Sequence, residues 1–275
     1  MGCLSSKVAG VERAASERAE AFGLRGEDYQ VLKRLGEGHE GSTYLVRVRA
    51  SGEELAAKIM RRGGMLDEQY LLQEIVTQAS LTHPFIVQLK EVLLTPSHVV
   101  MLLEYAKGGD FFKFVVASTP HTDRLLFSEN KARYFFRQII GAVGYCHSKH
   151  VAHRDIKLAN VLLDASSPPK IKLCDFGLSK LWQQMEDLNT HTAVGTPAYM
   201  PPEILTQLSK DTGYDPLSAD VWSCGVFLYV MLLGKFPFQK LGQKVSLGTN
   251  FRNILCQIYI MVRAPAAGVL CGPTD

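Results

Sequence analysis

The first part of the chain has the two-residue periodicity of β-strands. Val46 and Val48 alternate with arginines, and residues 29–35 carry apolar side chains at even spacing, interrupted by one lysine. The same kind of pattern predicts further strands at residues 56–60, 86–92 and 99–103.

Later segments have the three- and four-residue spacing of amphipathic helices. One helix is predicted over residues 67–81 and another through residues 132–143. Strands followed by helices predict an α+β protein of two lobes with a cleft at their junction. The apolar stripe of the first helix is expected to consist of Leu71, Leu72, Ile75, Val76 and Ala79.

Composition and charge exclude several classes of protein. The 275 residues are 47% hydrophobic and 21% charged, which excludes collagen-like and wholly disordered chains. The net charge of +3 gives no electrostatic signature of a nucleic-acid partner, and the longest apolar run, residues 224–233, is too short to cross a bilayer. Six widely spaced cysteines indicate reduced thiols, so we expect a cytoplasmic location.

The N-terminus fits a lipidation signal. Gly2 becomes the first residue once Met1 is removed, and Ser6 stands where the myristoylation pattern requires Ser or Thr. One myristoyl chain binds a membrane weakly, and Cys3 offers a palmitoylation site as the second anchor. We expect residues 1–28 to be a lipidation signal and spacer that tether the protein to the cytoplasmic face of a membrane. The alternative is a tail that begins with glycine by chance.

A glycine-rich segment lies between the first two predicted strands. Gly36, Gly38 and Gly41 form a G-x-G-x-x-G pattern, which also fits a dinucleotide-binding turn. That alternative needs a helix directly after the glycines, whereas the pattern here predicts a strand. A glycine hairpin with Lys58 on the third strand resembles the nucleotide loop and lysine of protein kinases. The resemblance implies that Glu74, otherwise a solvated helix charge, forms an ion pair with Lys58.

The strongest motifs lie beyond the first long helix of the second lobe. Residues 153–160 read HRDIKLAN, and residues 175–177 read DFG. They resemble the catalytic loop and the metal-binding motif of protein kinases at every fixed position. Any one of these motifs can arise by chance, but their order together with the upstream lysine and glutamate points to that family.

The resemblance implies a role for each polar residue of these motifs. Asp155 would accept the proton of the substrate hydroxyl, and Lys157 would contact the γ-phosphate of ATP. Asn160 and Asp175 would hold Mg²⁺. Lys157 and Thr196, which bonds the catalytic aspartate in that family, resemble serine/threonine kinases rather than tyrosine kinases.

The same resemblance implies that ATP binds between the lobes. Leu103 would be the gatekeeper, and residues 104–109 would form the hinge that binds adenine through its backbone. The residues expected at the nucleotide site are Leu35, Gly36, Gly38, Gly41, Thr43, Ala56, Lys58, Glu74, Glu104, Ala106 and Leu162.

The resemblance extends to one subfamily. It is to the sucrose-nonfermenting-related kinases of plants and green algae, second subfamily, and implies an ATP-dependent serine/threonine protein kinase that acts on protein substrates in osmotic-stress or hormone signalling. It is carried by residues 102–109, 166–170, 174–177 and 219–226. It covers residues 29–262, divided into an N-lobe (29–103), a hinge (104–109) and a C-lobe (110–262), and residues 263–275 form a tail unlike the family.

Arg154, beside the catalytic aspartate, indicates regulation by phosphorylation. In kinases with this arginine, a phosphate on the activation segment supplies the counter-charge that orders the loop. The segment spans residues 175–203. The resemblance makes Thr192 the first candidate for modification by an upstream kinase, with Thr190 and Ser179 as weaker candidates.

The chain departs from the family at the glycine loop and after residue 262, and the second departure leaves other functions open. Glu40 brings an acidic side chain to the tip of the glycine loop, near the expected phosphates. After residue 262 the closing helices of the family are missing, so we expect an incomplete C-lobe in which Glu203 is a buried charge without its partner. The alternatives are therefore a non-catalytic nucleotide-binding scaffold or an unstable fragment.

Overall fold

The computed structural model describes residues 24, 26–38, 41–62, 68–117, 126–181, 195–207 and 213–238. Several predictions concern residues outside these ranges. They are the lipidation sites Gly2 and Cys3, the loop-tip residue Glu40, the phosphorylation candidates Thr190 and Thr192, and the tail at 263–275.

The N-lobe is a five-stranded antiparallel sheet with one helix. The strands lie in the order β1-β2-β3-β5-β4. Its elements are β1 (Tyr29–Gly38), β2 (Gly41–Val48), β3 (Glu54–Arg61), α1 (Glu68–Ser80), β4 (Leu89–Leu94) and β5 (His98–Glu104).

The apolar pattern predicts a strand that begins at residue 86. In the structure, strand β4 begins at Leu89. The chain before it pairs with the other lobe. Ile86 forms a parallel bridge with Leu173, and the Val87 amide donates to the Leu173 carbonyl at 2.9 Å. Apolar residues 86 and 87 are therefore buried by contact with the C-lobe and not by membership of the sheet.

One face of the sheet encloses an apolar core. Leu55, Ala57 and Ile59 alternate along β3 and are buried in it. Because side chains alternate across a strand, Ala56 and Lys58 face the opposite side of the sheet. The remaining members of the core cluster are Leu24, Val31, Val46, Val100 and Leu102.

The apolar stripe predicted for helix α1 is wrong in part. Leu71 is buried and Ile75 packs beside it against the sheet. Leu72 and Val76, however, are 59% and 56% exposed, and Ala79 is also exposed. The helix is thus rotated away from the orientation that its hydrophobic periodicity favours.

Polar residues take the buried positions of α1. Glu74, Thr77 and Gln78 are all buried. Glu74 accepts a hydrogen bond from Lys58 at 2.7 Å, and the Gln78 amide donates to the Val87 carbonyl at 2.6 Å. Buried polar groups are tolerated when they are hydrogen-bonded, so these partners explain the rotation of the helix.

The C-lobe is mainly helical, and with the N-lobe it confirms the predicted two-lobed α+β class. Strands β6, β8 and β9 form a small antiparallel sheet, and β7 pairs with β10. The elements are β6 (Gly109–Asp110), α2 (Phe111–Ala117), α3 (Glu129–Ser148), β7 (Val151–Ala152), β8 (Val161–Leu163), β9 (Ile171–Leu173), β10 (Lys180–Leu181), α4 (Pro202–Gln207) and α5 (Pro216–Leu233).

Helix α5 is the central helix of this lobe. Asp215 caps its N-terminus, and Gly234 ends it with a left-handed backbone conformation. It packs against α3, and Phe227 stacks on Phe111 with ring centroids 5.7 Å apart. By length and composition α5 could cross a membrane, and half of it is buried inside the lobe, as in the core helix of a folded domain.

The expectation that Glu203 is a buried charge is wrong. Glu203 lies in the first turn of α4 and is exposed in the structure. Water therefore reaches this carboxylate, and the large penalty for burying a charge does not arise.

Gly41 is the glycine of the β1–β2 hairpin that the packing requires. A Cβ atom at this position would lie 2.0 Å from the Ile59 carbonyl oxygen in β3, and φ is +155°. A side chain would therefore push β2 away from β3 at the point where the hairpin begins. At Gly36, in contrast, a Cβ atom would meet nothing within 4 Å.

We predict that Gly41→Ala lowers the free energy of unfolding by about 1–3 kcal/mol, because the backbone must shift to relieve the overlap. Urea denaturation of the purified chain measures this difference. Gly36→Ala is the matched control and should change the free energy by less than about 0.5 kcal/mol. Equal effects of the two substitutions would contradict the steric argument.

Candidate active site

An ion pair lies on the N-lobe side of the cleft. Lys58 Nζ in β3 donates to Oε1 of Glu74 in α1 at 2.7 Å, and lies 3.8 Å from Oδ1 of Asp175. Glu74 is buried, whereas the Asp175 side chain is 47% exposed. Glu74 is thus not a solvated helix charge. It orients Lys58 beside a carboxylate that reaches the solvent of the cleft.

The glycine pattern lies on the hairpin that joins β1 and β2. Gly36 pairs with Thr43, and Gly38 pairs with Gly41. A strand therefore follows the glycines, which excludes the dinucleotide-binding turn because that turn needs a helix there. Thr43 also lies opposite Lys58 of β3, so the hairpin starts next to the lysine.

The apolar residues predicted for the nucleotide site lie on strands of both lobes. Ala56 is on the same face of β3 as Lys58 and is opposite Leu103 of β5. Leu35, in β1, is 38% exposed. In β8, Leu162 is partly exposed between two buried neighbours, so it points away from the C-lobe core.

The hinge follows directly from β5. Its first residue, Glu104, ends that strand, and Ala106 is buried. The turn closes with a hydrogen bond from the Gly109 amide to the Ala106 carbonyl at 3.2 Å. The chain then enters β6 of the C-lobe, so the predicted hinge residues connect the two lobes.

Three side chains converge on the carboxylate of Asp155. Its Oδ2 atom accepts from Lys157 Nζ at 2.6 Å and from Asn160 Nδ2 at 2.9 Å. Its Oδ1 atom accepts from Thr196 Oγ1 at 2.9 Å. Lys157 also donates to Thr196 Oγ1 at 2.9 Å, so the four side chains form one network.

Two opposing effects set the pKa of Asp155. Burial raises it, whereas the hydrogen bond and charge of Lys157, the hydrogen bond from Thr196 and the charge of His153 lower it. The balance leaves the pKa below its ordinary value. Asp155 is therefore ionised at neutral pH and can accept a proton.

The two predicted metal ligands are linked through Cys174. The Cys174 amide donates to the Asn160 carbonyl at 3.0 Å, and its thiol lies 3.3 Å from the same oxygen. Asp175 follows with φ of +68°, and the next residue, Phe176, is buried with its ring 4.8 Å from that of His153. Carboxylate and amide oxygens are the ligands that Mg²⁺ prefers, so Asp175 and Asn160 fit that ion.

Comparison with known proteins identifies the family. The model of the protein kinase domain matches residues 29–266. The chain belongs to the protein kinase family. The serine/threonine-protein kinase SAPK9 of Oryza sativa subsp. japonica is 47% identical over 214 residues, which is 78% of this chain and 56% of the relative.

Other curated kinases are similarly related. SAPK3 of Oryza sativa subsp. japonica is 45% identical over 84% of this chain and 64% of its own length. SRK2B of Arabidopsis thaliana is 45% identical over 78% of this chain and 55% of its own length. These relatives confirm the resemblance to the second subfamily of sucrose-nonfermenting-related kinases. The chain spans between 55% and 64% of the length of these relatives.

A buried carboxylate to which the sequence assigned no role anchors the predicted catalytic loop. Asp220 of α5 is 1% exposed and accepts from the amides of His153 and Arg154, both at 2.8 Å. It also lies 2.9 Å from Nε2 of His147 in α3. The sequence signals were a charged residue inside a strongly apolar helix and its place in residues 219–226, which carry the family resemblance.

Arg154 is positioned to connect the catalytic loop to the activation segment. Its backbone has φ of +65°, and its Nε atom donates to the Leu178 carbonyl at 2.6 Å. Ser179 is buried and its hydroxyl donates to the Phe176 carbonyl at 2.6 Å, so it is a poor phosphate acceptor in this conformation. Thr192 lies outside the described residues.

We predict that Asp220→Asn lowers the free energy of unfolding of the chain and the hydrogen-exchange protection of the catalytic loop. An amide nitrogen in place of one carboxylate oxygen cannot accept a hydrogen bond, so a buried backbone N–H loses its partner at a cost of about 1–3 kcal/mol. Urea denaturation measures the stability. Amide hydrogen exchange at residues 153 and 154 reports the lost protection.

The matched control is Asp215→Asn on the same helix. Asp215 is an exposed N-cap, and Asn caps a helix about as well as Asp. This substitution should leave stability and exchange nearly unchanged. Unchanged protection of residues 153 and 154 in Asp220→Asn would contradict the anchoring role.

Proposed function

We propose that the chain transfers the γ-phosphoryl group of ATP to a serine or threonine hydroxyl of a protein. The observation that carries the proposal is the network in which Lys157, Asn160 and Thr196 all bond to Asp155. Phosphoryl transfer needs positioning and charge neutralisation more than covalent chemistry, and this network supplies both. The activity of the serine/threonine-protein kinases that the chain resembles supports the same reaction class.

In the proposed reaction the substrate hydroxyl oxygen forms a bond to the γ-phosphorus, and the bond from that phosphorus to the β–γ bridging oxygen breaks, which releases ADP. Asp155 accepts the hydroxyl proton. Lys157 neutralises charge on the transferred group, and Lys58, held by Glu74, contacts the other phosphates. Mg²⁺, when bound by Asn160 and Asp175, would neutralise further phosphate charge.

The preference for serine and threonine rests on Lys157 and Thr196. Both lie within hydrogen-bond distance of the Asp155 carboxylate, which they orient from two sides.

The non-catalytic scaffold is the second candidate. It is less favoured because the predicted catalytic side chains form one network around Asp155, and Lys58 lies beside both Glu74 and Asp175.

The signalling context and the location are also proposals. The resemblance to the subfamily supports a role in osmotic-stress or hormone signalling, with an upstream kinase that acts on Thr192. The motif at Gly2 and Cys3 supports attachment to the cytoplasmic face of a membrane.

We predict that Asp155→Asn reduces phosphotransfer by about 10²–10⁴-fold, because the amide cannot accept the hydroxyl proton. The assay follows radiolabelled phosphate from ATP to three matched peptides that differ only in a Ser, Thr or Tyr acceptor. The wild-type chain should label the Ser and Thr peptides. Thermal shift with Mg-ADP serves as the control, since Asp155→Asn should still bind nucleotide. A wild-type chain that binds Mg-ADP but labels no peptide would favour the scaffold.

We predict that Gly2→Ala abolishes incorporation of an alkyne-tagged myristate and moves the protein from the membrane fraction to the soluble fraction. Myristate is attached to an N-terminal glycine, so alanine removes the acceptor. Cys3→Ser should keep the label but weaken membrane retention, since one acyl chain binds only marginally. Ser5→Ala, outside the required positions, is the control. Label on the Gly2→Ala protein would rule out this site.

A further inference from the structure

An ion pair links the side chain of a hinge residue to the C-lobe sheet and has no role in the reaction described above. Lys172 Nζ of β9 lies 2.6 Å from Oε1 of Glu104, the first residue of the hinge. The side chains are 13% and 29% exposed, so solvent screens this pair less than a surface pair. The charge of Lys172 also acts on His83, where burial and then this charge lower the pKa of the imidazole.

The same carboxylate reaches a third segment. Glu104 Oε2 accepts a hydrogen bond from the backbone N–H of Gln88 at 3.3 Å. The backbone N–H of Glu104 donates to the backbone carbonyl of Gln88 at 2.8 Å. One residue before Gln88, Val87 donates to the carbonyl of Leu173 in β9. Glu104 therefore ties together the hinge, the segment before β4, and β9.

Strand β9 leads directly to the metal-binding end of the cleft. Lys172 is three residues before Asp175, and it lies opposite Leu162 of β8, one of the residues expected at the nucleotide site. Cys174, between them, fixes the Asn160 carbonyl through its amide. A displacement of Lys172 along β9 would therefore move both predicted metal ligands relative to the hinge.

We propose that Lys172 is a positioning residue that couples the adenine end of the nucleotide site to its metal end, through its ion pair with Glu104. The proposal rests on the proposed function, because it assumes that the cleft binds Mg-nucleotide. Without the pair, the hinge loses its direct side-chain contact with β9 and is linked to it through the segment before β4. Ligands that contact both ends then lose affinity, whereas a ligand that contacts the hinge alone does not.

The experiment compares two ligands on the full chain. Isothermal titration gives the dissociation constants of adenosine, which has no phosphate, and of Mg-ADP. Lys172→Met should weaken Mg-ADP binding by roughly 5–50-fold, in the range of typical coupling energies, and adenosine binding by less than about twofold. Lys172→Arg keeps the charge and should restore most of the Mg-ADP affinity.

Two further variants separate coupling from a general structural effect. Glu104→Gln should weaken Mg-ADP binding like Lys172→Met, and the double variant should be no weaker than either single variant, because both remove one interaction. Lys90→Met is the matched control. Lys90 lies 3.8 Å from Glu53 in an exposed pair and should leave both affinities unchanged.

Equal weakening of adenosine and Mg-ADP, or additive effects in the double variant, would overturn the positioning role. Wild-type affinity for Mg-ADP in Lys172→Met would overturn it as well. A wild-type chain that binds Mg-ADP without phosphotransfer would contradict the proposed catalysis but would leave this coupling measurable. A wild-type chain that binds no Mg-ADP would overturn both.

Discussion

The buried carboxylate of Asp220 is the constraint on which the catalytic site depends. It belongs to α5, the central helix of the C-lobe, and holds the two amides that precede Asp155. An unsatisfied buried amide costs about 1–3 kcal/mol, so the loop and the carboxylate stabilise each other only in this arrangement. The position of Asp155 in the cleft is therefore set by the core of the lobe.

A comparable constraint acts on the opposite side of the site, at β9. The Ile171 amide donates to the Gln138 side chain of α3 at 3.0 Å, Lys172 pairs with the hinge, and the Leu173 amide donates to the Phe85 carbonyl at 2.8 Å. Each residue of this strand is thus held by a different element. Because Asp175 follows two residues later, its position depends on both lobes, while the position of Asp155 depends on one.

The proximity of the predicted catalytic residues followed from the resemblance of residues 153–160 to the catalytic loop of protein kinases. Residues 153–160 bring a carboxylate, an ammonium and an amide into one short turn, so their order along the chain already specifies their proximity. The fold class followed from the change in apolar spacing, from every second residue in the strands to every third or fourth residue in the helices. This spacing can be read within each segment without knowledge of its partners.

The supporting residues were not predictable in this way. Asp220 acts on amides 66 and 67 residues away, and Lys172 pairs with a glutamate far earlier in the chain. Residue type alone cannot identify such partners. The same limit explains the error in α1, where the burial of Gln78 depends on a hydrogen bond to the Val87 carbonyl outside the helix. Hydrophobic periodicity describes a helix that packs by apolar contact, and α1 packs partly by hydrogen bonds.

The charge of Lys157 connects this architecture to the proposed reaction. Burial alone would raise the pKa of Asp155, and the hydrogen bond and charge of Lys157 are the largest of the effects that lower it. A carboxylate with a lowered pKa contributes its stabilisation above its ordinary pKa of about 4 and loses it as the pH falls through the folded value, so at neutral pH the contribution is complete. A γ-phosphate that pairs with Lys157 would weaken the interaction between the Lys157 ammonium and the Asp155 carboxylate. The pKa of Asp155 would then rise at the step in which the substrate hydroxyl loses its proton. Asp155 would accept that proton more readily.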